Sequence, residues 1–220
     1  MNRDRSTTEW WDGILDVKDV TPSDARAKIS DFAYRGDWPA LFEVLDSMDS
    51  YEPLANVNST RSGGKSHFTP LHQAAWSGDA HGIHGLINRG AWRSVRDADG
   101  NRPVDIYTVQ GHTTYTTSLE PKPVHRLGET LVESLQLRLN FLLDAELLRW
   151  RRSPLRYPQV EVLTEIESGE LWFGVPGKYG GYRLTLDGSA LHVDSSSRMG
   201  GSELYRVTSD SIEFLGHEGY

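Results

Sequence analysis

Residues 68–79 read Phe-Thr-Pro-Leu-His-Gln-Ala-Ala-Trp-Ser-Gly-Asp, and this stretch decides the fold. Thr69-Pro70 predicts a helix start, because proline fixes φ and lacks only an N–H that the first turn would leave unpaired. Leu71 and the two alanines three and four positions later share one face of that helix. Gly78 predicts its end, where a left-handed residue is needed.

A second helix follows after a tight turn. Ile83, Leu86 and Ile87 continue the apolar stripe, and Gly90 closes it. Helix, turn, helix and closing glycine resemble an ankyrin repeat, and residues 69–75 are similar to that family's T-P-L-H-x-A-A motif. One such repeat cannot bury its own apolar face, so the resemblance implies neighbouring repeats.

Weaker copies of the pattern lie on both sides. Downstream, residues 97–107 resemble the start of a further repeat, and Gly111 lies 33 positions after Gly78, which is the ankyrin period. Upstream, residues 29–37 resemble a degenerate repeat with helices at about 22–34 and 38–47. The resemblance therefore covers about residues 26–117.

The spacing between the first two repeats is longer than the period. Gly36 and Gly78 are 42 positions apart, nine more than expected. The excess lies in the polar Gly/Ser stretch at 58–67, which predicts an enlarged finger loop. At the beginning of the chain, Trp10, Trp11 and the apolar residues after them predict a short helical turn that caps the first repeat.

The second half of the chain changes its period. A leucine stripe predicts a helix over about 129–150, which we interpret as the displaced outer helix of the third repeat. After a linker at 153–158, alternating apolar residues separated by glycine turns predict five or six antiparallel strands, beginning at Val160. The predicted fold class is α+β: a short ankyrin helical solenoid followed by a small antiparallel β meander packed on a long helix. We expect boundaries at 1–25 for the cap, 26–152 for the ankyrin part and 153–220 for the β domain.

Composition limits the partners that we expect. The chain has 220 residues, 31 acidic and 23 basic side chains, and a formal net charge of −8. Without a basic run, this balance argues against nucleic acid and anionic membranes as partners. There is no cysteine, and we find no signal peptide or membrane-spanning pattern, so we expect a cytoplasmic protein.

Patterns that would indicate chemistry are incomplete. His81 and His84 have the spacing of half a metal site but lack a third ligand, and a solvated helix face explains them more simply. Residues 63–66 lack the first glycine of a phosphate-binding loop. We therefore expect no catalytic residues, no metal and no cofactor.

The resemblance implies a concave partner-binding face. In ankyrin repeats the two residues before each helix-ending glycine, together with the finger loops, meet partners. Carried over one by one, these positions are Tyr34, Arg35, Lys65, His67, Trp76, Ser77, Arg89, Asp99, Asn101, Val109 and Gln110. Tyr, Trp and Arg dominate binding hot spots. The alternative is that Tyr34 and Trp76 only cover the neighbouring repeat.

We therefore expect a non-catalytic binding protein, with another protein as partner. The acidic charge favours a basic surface on that partner. In bacteria, compact acidic ankyrin proteins include immunity proteins that neutralise a cognate toxin. The alternative is an enzyme or small-ligand sensor with its site around Val175–Tyr182. That stretch resembles a V-P-G-x-Y-G-G pattern that follows ankyrin repeats in bacterial proteins and has no assigned activity.

Overall fold

A computed structural model describes residues 9–15, 24–48, 55–148, 155–178, 180–197 and 201–218. Eight helices lie in these described residues: α1 (Asp24–Arg35), α2 (Trp38–Ser47), α3 (Pro70–Ser77), α4 (Ala80–Ile87), α5 (Pro103–Val109), α6 (Thr116–Leu119), α7 (Glu129–Leu147) and α8 (Val160–Leu163). The strands there are β1 (Trp10–Trp11), β2 (Glu170–Val175), β3 (Gly180–Asp187), β4 (Ala190–Ser197), β5 (Ser202–Val207) and β6 (Ile212–Glu218).

The chain forms two compact units. The helical unit comprises Ile14–Lys122 and Arg152–Val162. The sheet unit comprises Met1–Gly13, Pro123–Arg151 and Leu163–Tyr220. These units do not follow the boundaries predicted after residues 25 and 152, because the beginning of the chain and the long helix α7 both group with the sheet.

In the helical unit, helices pair through tight turns. α1 contacts α2 and α3, and α3 contacts α4 and α5. Asp37 and Asp79 cap α2 and α4, because their carboxylates accept the N–H groups of Ala40 and Gly82. The core between these helices is apolar and consists mainly of Ile29, Ala33, Trp38, Leu41, Phe42, Leu71, Ala74, Ala75, Ile83, Leu86, Val104 and Tyr107.

The sheet unit contains one six-stranded sheet in the order β1 to β6. β1 runs parallel to β2, and every later neighbouring pair is antiparallel. The backbone N–H of Trp172 donates to the carbonyl of Glu9 at 2.8 Å, so the beginning of the chain extends the sheet. Position 181 in β3 requires glycine, because the Cβ of any other residue would collide with the Phe173 carbonyl oxygen on β2.

The predicted fold class is wrong. The strands do not form a separate antiparallel meander behind an ankyrin solenoid, because the sheet is mixed and its first strand comes from the beginning of the chain. The helices are short: in the described residues, those other than α7 have 4 to 12 residues. α7 itself ends at Leu147 and belongs to the sheet unit, not to the third repeat.

Two local predictions also fail. Trp10 and Trp11 form a strand and not a helical turn, because their backbone pairs with Trp172 and Phe173. Val160–Leu163 is a short helix and not a strand. Val160, Val162 and Leu163 are all fully buried. Their spacing contains both the two-residue interval of a strand and the three-residue interval of a helix, so it does not distinguish the two structures.

Other local predictions are confirmed. α2 has the predicted bounds, and α1 ends one residue later than predicted, while its predicted start before Asp24 lies outside the described residues. Alternation in β3 is as expected, since Tyr182 and Leu184 are buried and Arg183 is exposed. The first residues of the predicted linker at 153–158 also lie outside the described residues. No helix in the described part of the chain is long and apolar enough to cross a membrane.

Candidate functional site

Three helices of the helical unit end in the same way. Gly36, Gly78 and Gly111 have φ of 70°, 67° and 82°. In each case the N–H of the next residue donates to the carbonyl five positions back, at 2.9 to 3.1 Å. This is a Schellman end, and it fixes the orientation of the last helical turn. The residues two positions before these glycines therefore occupy equivalent places on α1, α3 and α5.

These equivalent places carry large apolar side chains that remain exposed. Tyr34 is 68% exposed, Trp76 50% and Val109 81%. We call these three residues the exposed row. Since α3 contacts both α1 and α5, the row crosses adjacent helices. The structure thus brings together three of the predicted binding residues.

The long segment before α3 supplies the flanks of the exposed row. The Arg61 guanidinium lies 5.7 Å from the centre of the Tyr34 ring and pairs with Asp31 at 3.5 Å. The Phe68 ring lies 6.2 Å from that of Trp76. Arg61 lies in the predicted finger loop at 58–67 but was not named as a binding residue by itself, and Phe68 was given no binding role; their place beside the row depends on the course of a loop with no periodic pattern.

The predicted enlarged finger loop is partly buried. Asn58, Ser59 and Thr60 are 4% exposed or less. The Asn58 amide accepts the N–H of Trp92 at 2.9 Å and donates to the carbonyl of Gly90 at 3.3 Å. The first part of this loop therefore packs against the turn after α4, and the side chains of Asn58 and Ser59 form hydrogen bonds with backbone groups.

Lys65 and His67 lie in the second part of the loop. Lys65 is exposed and His67 is half-buried with φ of 54°. Burial and the nearby Arg156 lower the pKa of His67, although Asp97 acts in the opposite direction. A neutral imidazole is therefore favoured at His67. Lys65 is the exposed basic side chain in this part of the loop.

Four further predicted residues are polar neighbours of the exposed row or belong to a finger turn. Arg35 and Gln110 are exposed, and Arg35 Nε donates to the Asp31 carbonyl at 3.1 Å. The Ser77 hydroxyl donates back to α3, to the carbonyls of Gln73 and Ala74. Asp99 is exposed in the turn before α5. These side chains leave the row accessible.

Asn101 forms structural hydrogen bonds within the helical unit. The buried Asp97 carboxylate accepts the N–H of Asn101 at 2.8 Å, and the Asn101 carbonyl accepts from His72 Nε2 at 3.2 Å. His72 in turn accepts the N–H and hydroxyl of Thr69 with Nδ1. Burial is the main cause that lowers the pKa of His72 to about 4, so the ring is neutral in this role.

Arg89 contacts a different part of the helical unit. Its guanidinium donates two hydrogen bonds to Asp46, at 2.8 and 2.6 Å, and lies 4.1 Å from the centre of the Phe42 ring. It also donates to the Gly85 carbonyl. These contacts tie α2 to the end of α4, so the structure does not group Arg89 with the exposed row.

The two histidines on α4 contact different aromatic rings. His81 packs edge-on against Phe42 at 5.5 Å, and His84 packs against Tyr115 at 5.1 Å. Among the described residues, no group of three His, Cys, Asp or Glu side chains is arranged to hold a metal ion.

The alternative region, Val175–Tyr182, includes the turn between β2 and β3. Tyr182 is fully buried, and Lys178 Nζ donates to its hydroxyl at 3.1 Å and to Ser195 Oγ at 2.9 Å. Tyr179 lies outside the described residues. Gly180 and Gly181, the last two glycines of the V-P-G-x-Y-G-G pattern, belong to β3, where close strand approach requires them.

Comparison with known proteins relates part of the chain to a plant protein. No family model matches the chain. It is 36% identical over 73 residues to Squamosa promoter-binding-like protein 6 of Oryza sativa subsp. japonica. That match covers 30% of this chain and only 8% of the rice protein. The rice protein is named for promoter binding, which contradicts our prediction that nucleic acid is excluded as a partner; net charge alone does not support that exclusion.

Proposed function

We propose that the protein is a non-catalytic binding protein and that it contacts a partner protein through the exposed row. One observation carries the proposal. In the described part of the helical unit, Tyr34, Trp76 and Val109 are the large apolar side chains that stay exposed, and they occupy equivalent positions on adjacent helices. Scattered apolar residues need no explanation, but an aligned set is typical of an interaction surface.

The chemistry of the row suits a protein partner. Tyr and Trp bury large rigid rings at low entropic cost, and both are enriched at hot spots. Arg61 beside Tyr34 offers a polar edge, because exposed guanidinium groups hydrogen-bond and stack across interfaces. The ankyrin resemblance, which no comparison tests, would place partner contacts at the same positions.

The test compares two variants in affinity capture from cells of the native host. We expect Tyr34→Ala with Trp76→Ala to lose the partner that the wild-type protein captures. Two hot-spot rings contribute roughly 2 kcal/mol each, which together weaken binding about a thousandfold. Phe214→Ala is the matched control, because Phe214 is also 50% exposed but lies on β6 in the sheet unit. Equal capture by the double variant and wild type would contradict the proposal.

Nucleic-acid binding is the second candidate, and the promoter-binding name of the rice relative is what favours it. Fluorescence anisotropy with labelled duplex DNA separates the two candidates. The protein-binding proposal predicts that nuclease treatment leaves capture unchanged. Tight DNA binding that weakens steeply with salt, together with nuclease-sensitive capture, would favour the second candidate.

Within the protein-binding proposal, we suggest an inhibitor or immunity protein that covers a toxin in the cytoplasm. An inhibitor has to form a stable, exclusive complex, and a rigid apolar row supports this kind of interface. Co-expression with toxins encoded beside the gene tests this suggestion. Protection by wild type but not by the double variant is the expected result.

A further inference from the structure

The sheet unit contains a polar cleft that the proposed function does not use. Its volume is about 280 Å³. Lining side chains come from four elements and one turn: Glu146 on α7, Lys178 in the β2–β3 turn, Ser195 on β4, Glu203 on β5 and His217 on β6. Residues far apart in sequence thus converge on one concave site, small even by the standard of small-molecule pockets.

The described lining of the cleft contains one lysine, Lys178. The Lys178 ammonium donates to the Tyr182 hydroxyl and to Ser195 Oγ and lies 4.1 Å from the centre of the Tyr182 ring. An ammonium group has three donors, so these two bonds leave one donor for a ligand. Burial lowers the pKa of Lys178, while Glu146 and Glu203 act to raise it.

The cleft also contains two carboxylates, those of Glu146 and Glu203, which share one proton donor. The Tyr205 hydroxyl lies 3.0 Å from Glu146 Oε1 and 2.9 Å from Glu203 Oε2. A phenol has a single proton, so it donates to one carboxylate at a time. His217 Nδ1 lies 3.9 Å from Glu203 Oε1, beyond hydrogen-bond distance. The two carboxylates therefore have acceptor capacity that the hydroxyl does not fill.

The opposite charges line the same cleft without direct ion-pair contact. Among the described residues, Lys178 forms no ion pair within 4.0 Å with Glu146 or Glu203, although both influence its protonation. Charges in a partly buried cleft interact more strongly than charges in water. A molecule that carries both an ammonium and a carboxylate complements both kinds of charge in the lining, whereas a singly charged molecule complements only one.

We propose that this cleft binds a small zwitterion of the amino-acid class. The ligand's ammonium group lies between Glu146 and Glu203, and its carboxylate accepts from Lys178. This site is independent of the exposed row, so each proposal can fail without the other.

The test is a ligand titration of the full chain, in which binding is monitored through amide chemical shifts in NMR spectra. The probes are glycine and γ-aminobutyrate, which differ in charge separation, with acetate and methylammonium as singly charged fragments. We expect at least one zwitterion to shift the amides of Ser195 and Glu203 with millimolar affinity and to bind at least about tenfold more tightly than either fragment. No shift up to about 50 mM, or equal binding of the fragments, overturns the proposal.

Matched variants identify the contacts. Glu203→Gln and Lys178→Met should each weaken zwitterion binding about tenfold or more, the loss expected for one charged contact. Glu213→Gln and Lys122→Met are the controls, because both residues are exposed and neither lines the cleft. If Lys178→Met disturbs the sheet, the NMR spectrum of the variant shows widespread amide shifts without ligand. The Glu203→Gln variant and the comparison of zwitterions with fragments on the wild-type protein then decide whether the cleft binds a zwitterion. Unchanged affinity in a folded Glu203→Gln protein contradicts the site.

Discussion

The exposed row and the cleft place their chemistry at different depths. Row side chains are at least half exposed, whereas Lys178 contacts the buried Tyr182 and Ser195. Truncation of a row residue therefore removes a potential contact with a partner but little of the core. Substitution in the cleft also disturbs neighbouring hydrogen bonds. We therefore expect the proposed binding to be separable from stability in the helical unit and coupled to it in the sheet unit.

The largest effect that we expect tests whether β1 belongs to the sheet unit. Trp11 is 2% exposed, so Trp11→Ala should lower the free energy of unfolding by about 3–5 kcal/mol through lost burial and the cavity left behind. Hydrogen exchange should accelerate across β2 to β6 and remain slow in α3 to α5. Urea unfolding measures the magnitude.

Trp10→Ala is the control for that experiment. Trp10 is only half-buried in the same strand, so a smaller loss is expected. If the two variants lose the same free energy of unfolding, or if Trp11→Ala loses less than about 1 kcal/mol, the first strand does not stabilise the sheet.

An intermediate effect concerns acid stability of the helical unit. The pKa of His72 is about 4 in the fold against 6.5 ordinarily, so the unfolded chain binds more protons between these values. The contribution of His72 to the free energy of unfolding is therefore complete above pH 6.5 and is lost as the pH falls towards 4. The loss is about 3 kcal/mol at 1.36 kcal/mol per unit. Urea unfolding at pH 4 and pH 7 measures it.

His72→Gln separates His72 from the other acid-sensitive groups. This variant cannot take up the proton, so its stability should depend less on pH in the same range. Identical pH dependence in variant and wild type would show that the neutral ring bonded to Asn101 is not the cause.

The smallest effect tests the separability of the exposed row. Tyr34→Ala with Trp76→Ala should change the free energy of unfolding by no more than about 0.5–1 kcal/mol, because both rings are at least half exposed. Thermal unfolding followed by circular dichroism measures this. A loss of several kcal/mol would mean that these rings cover the neighbouring helices, the alternative that the sequence left open.

Local signals made much of the helical unit predictable. Asp37, Asp79 and Gly78 act on backbone groups within five positions, so their roles can be recognised in a short window. Tyr34, Trp76 and Val109 follow from counting back from the helix-ending glycines. The structural contacts of Asn101 and Arg89 could not be recognised in this way, because their partners, His72 and Asp46, lie 29 and 43 positions away.

The sheet unit depends on long-range pairing, which no local pattern reveals. Trp10 pairs with Trp172, and two aromatic residues alone do not indicate a parallel strand. The cleft was missed for the same reason, since Glu146, Lys178 and Glu203 come from separate elements. Of the described cleft residues, Lys178 alone lies in a stretch that the sequence analysis singled out, Val175–Tyr182, which was named for its V-P-G-x-Y-G-G pattern.

The three Schellman ends have a consequence for molecular evolution. At each end the glycine and the backbone hydrogen bonds hold the turn, and these bonds do not depend on the side chain two positions earlier. Natural selection can therefore exchange the residues at 34, 76 and 109 with little cost to folding. A chain of this kind can acquire a new binding partner through a few substitutions, while mutations at Gly78, whose added Cβ would lie 2.6 Å from the His112 ring, are removed.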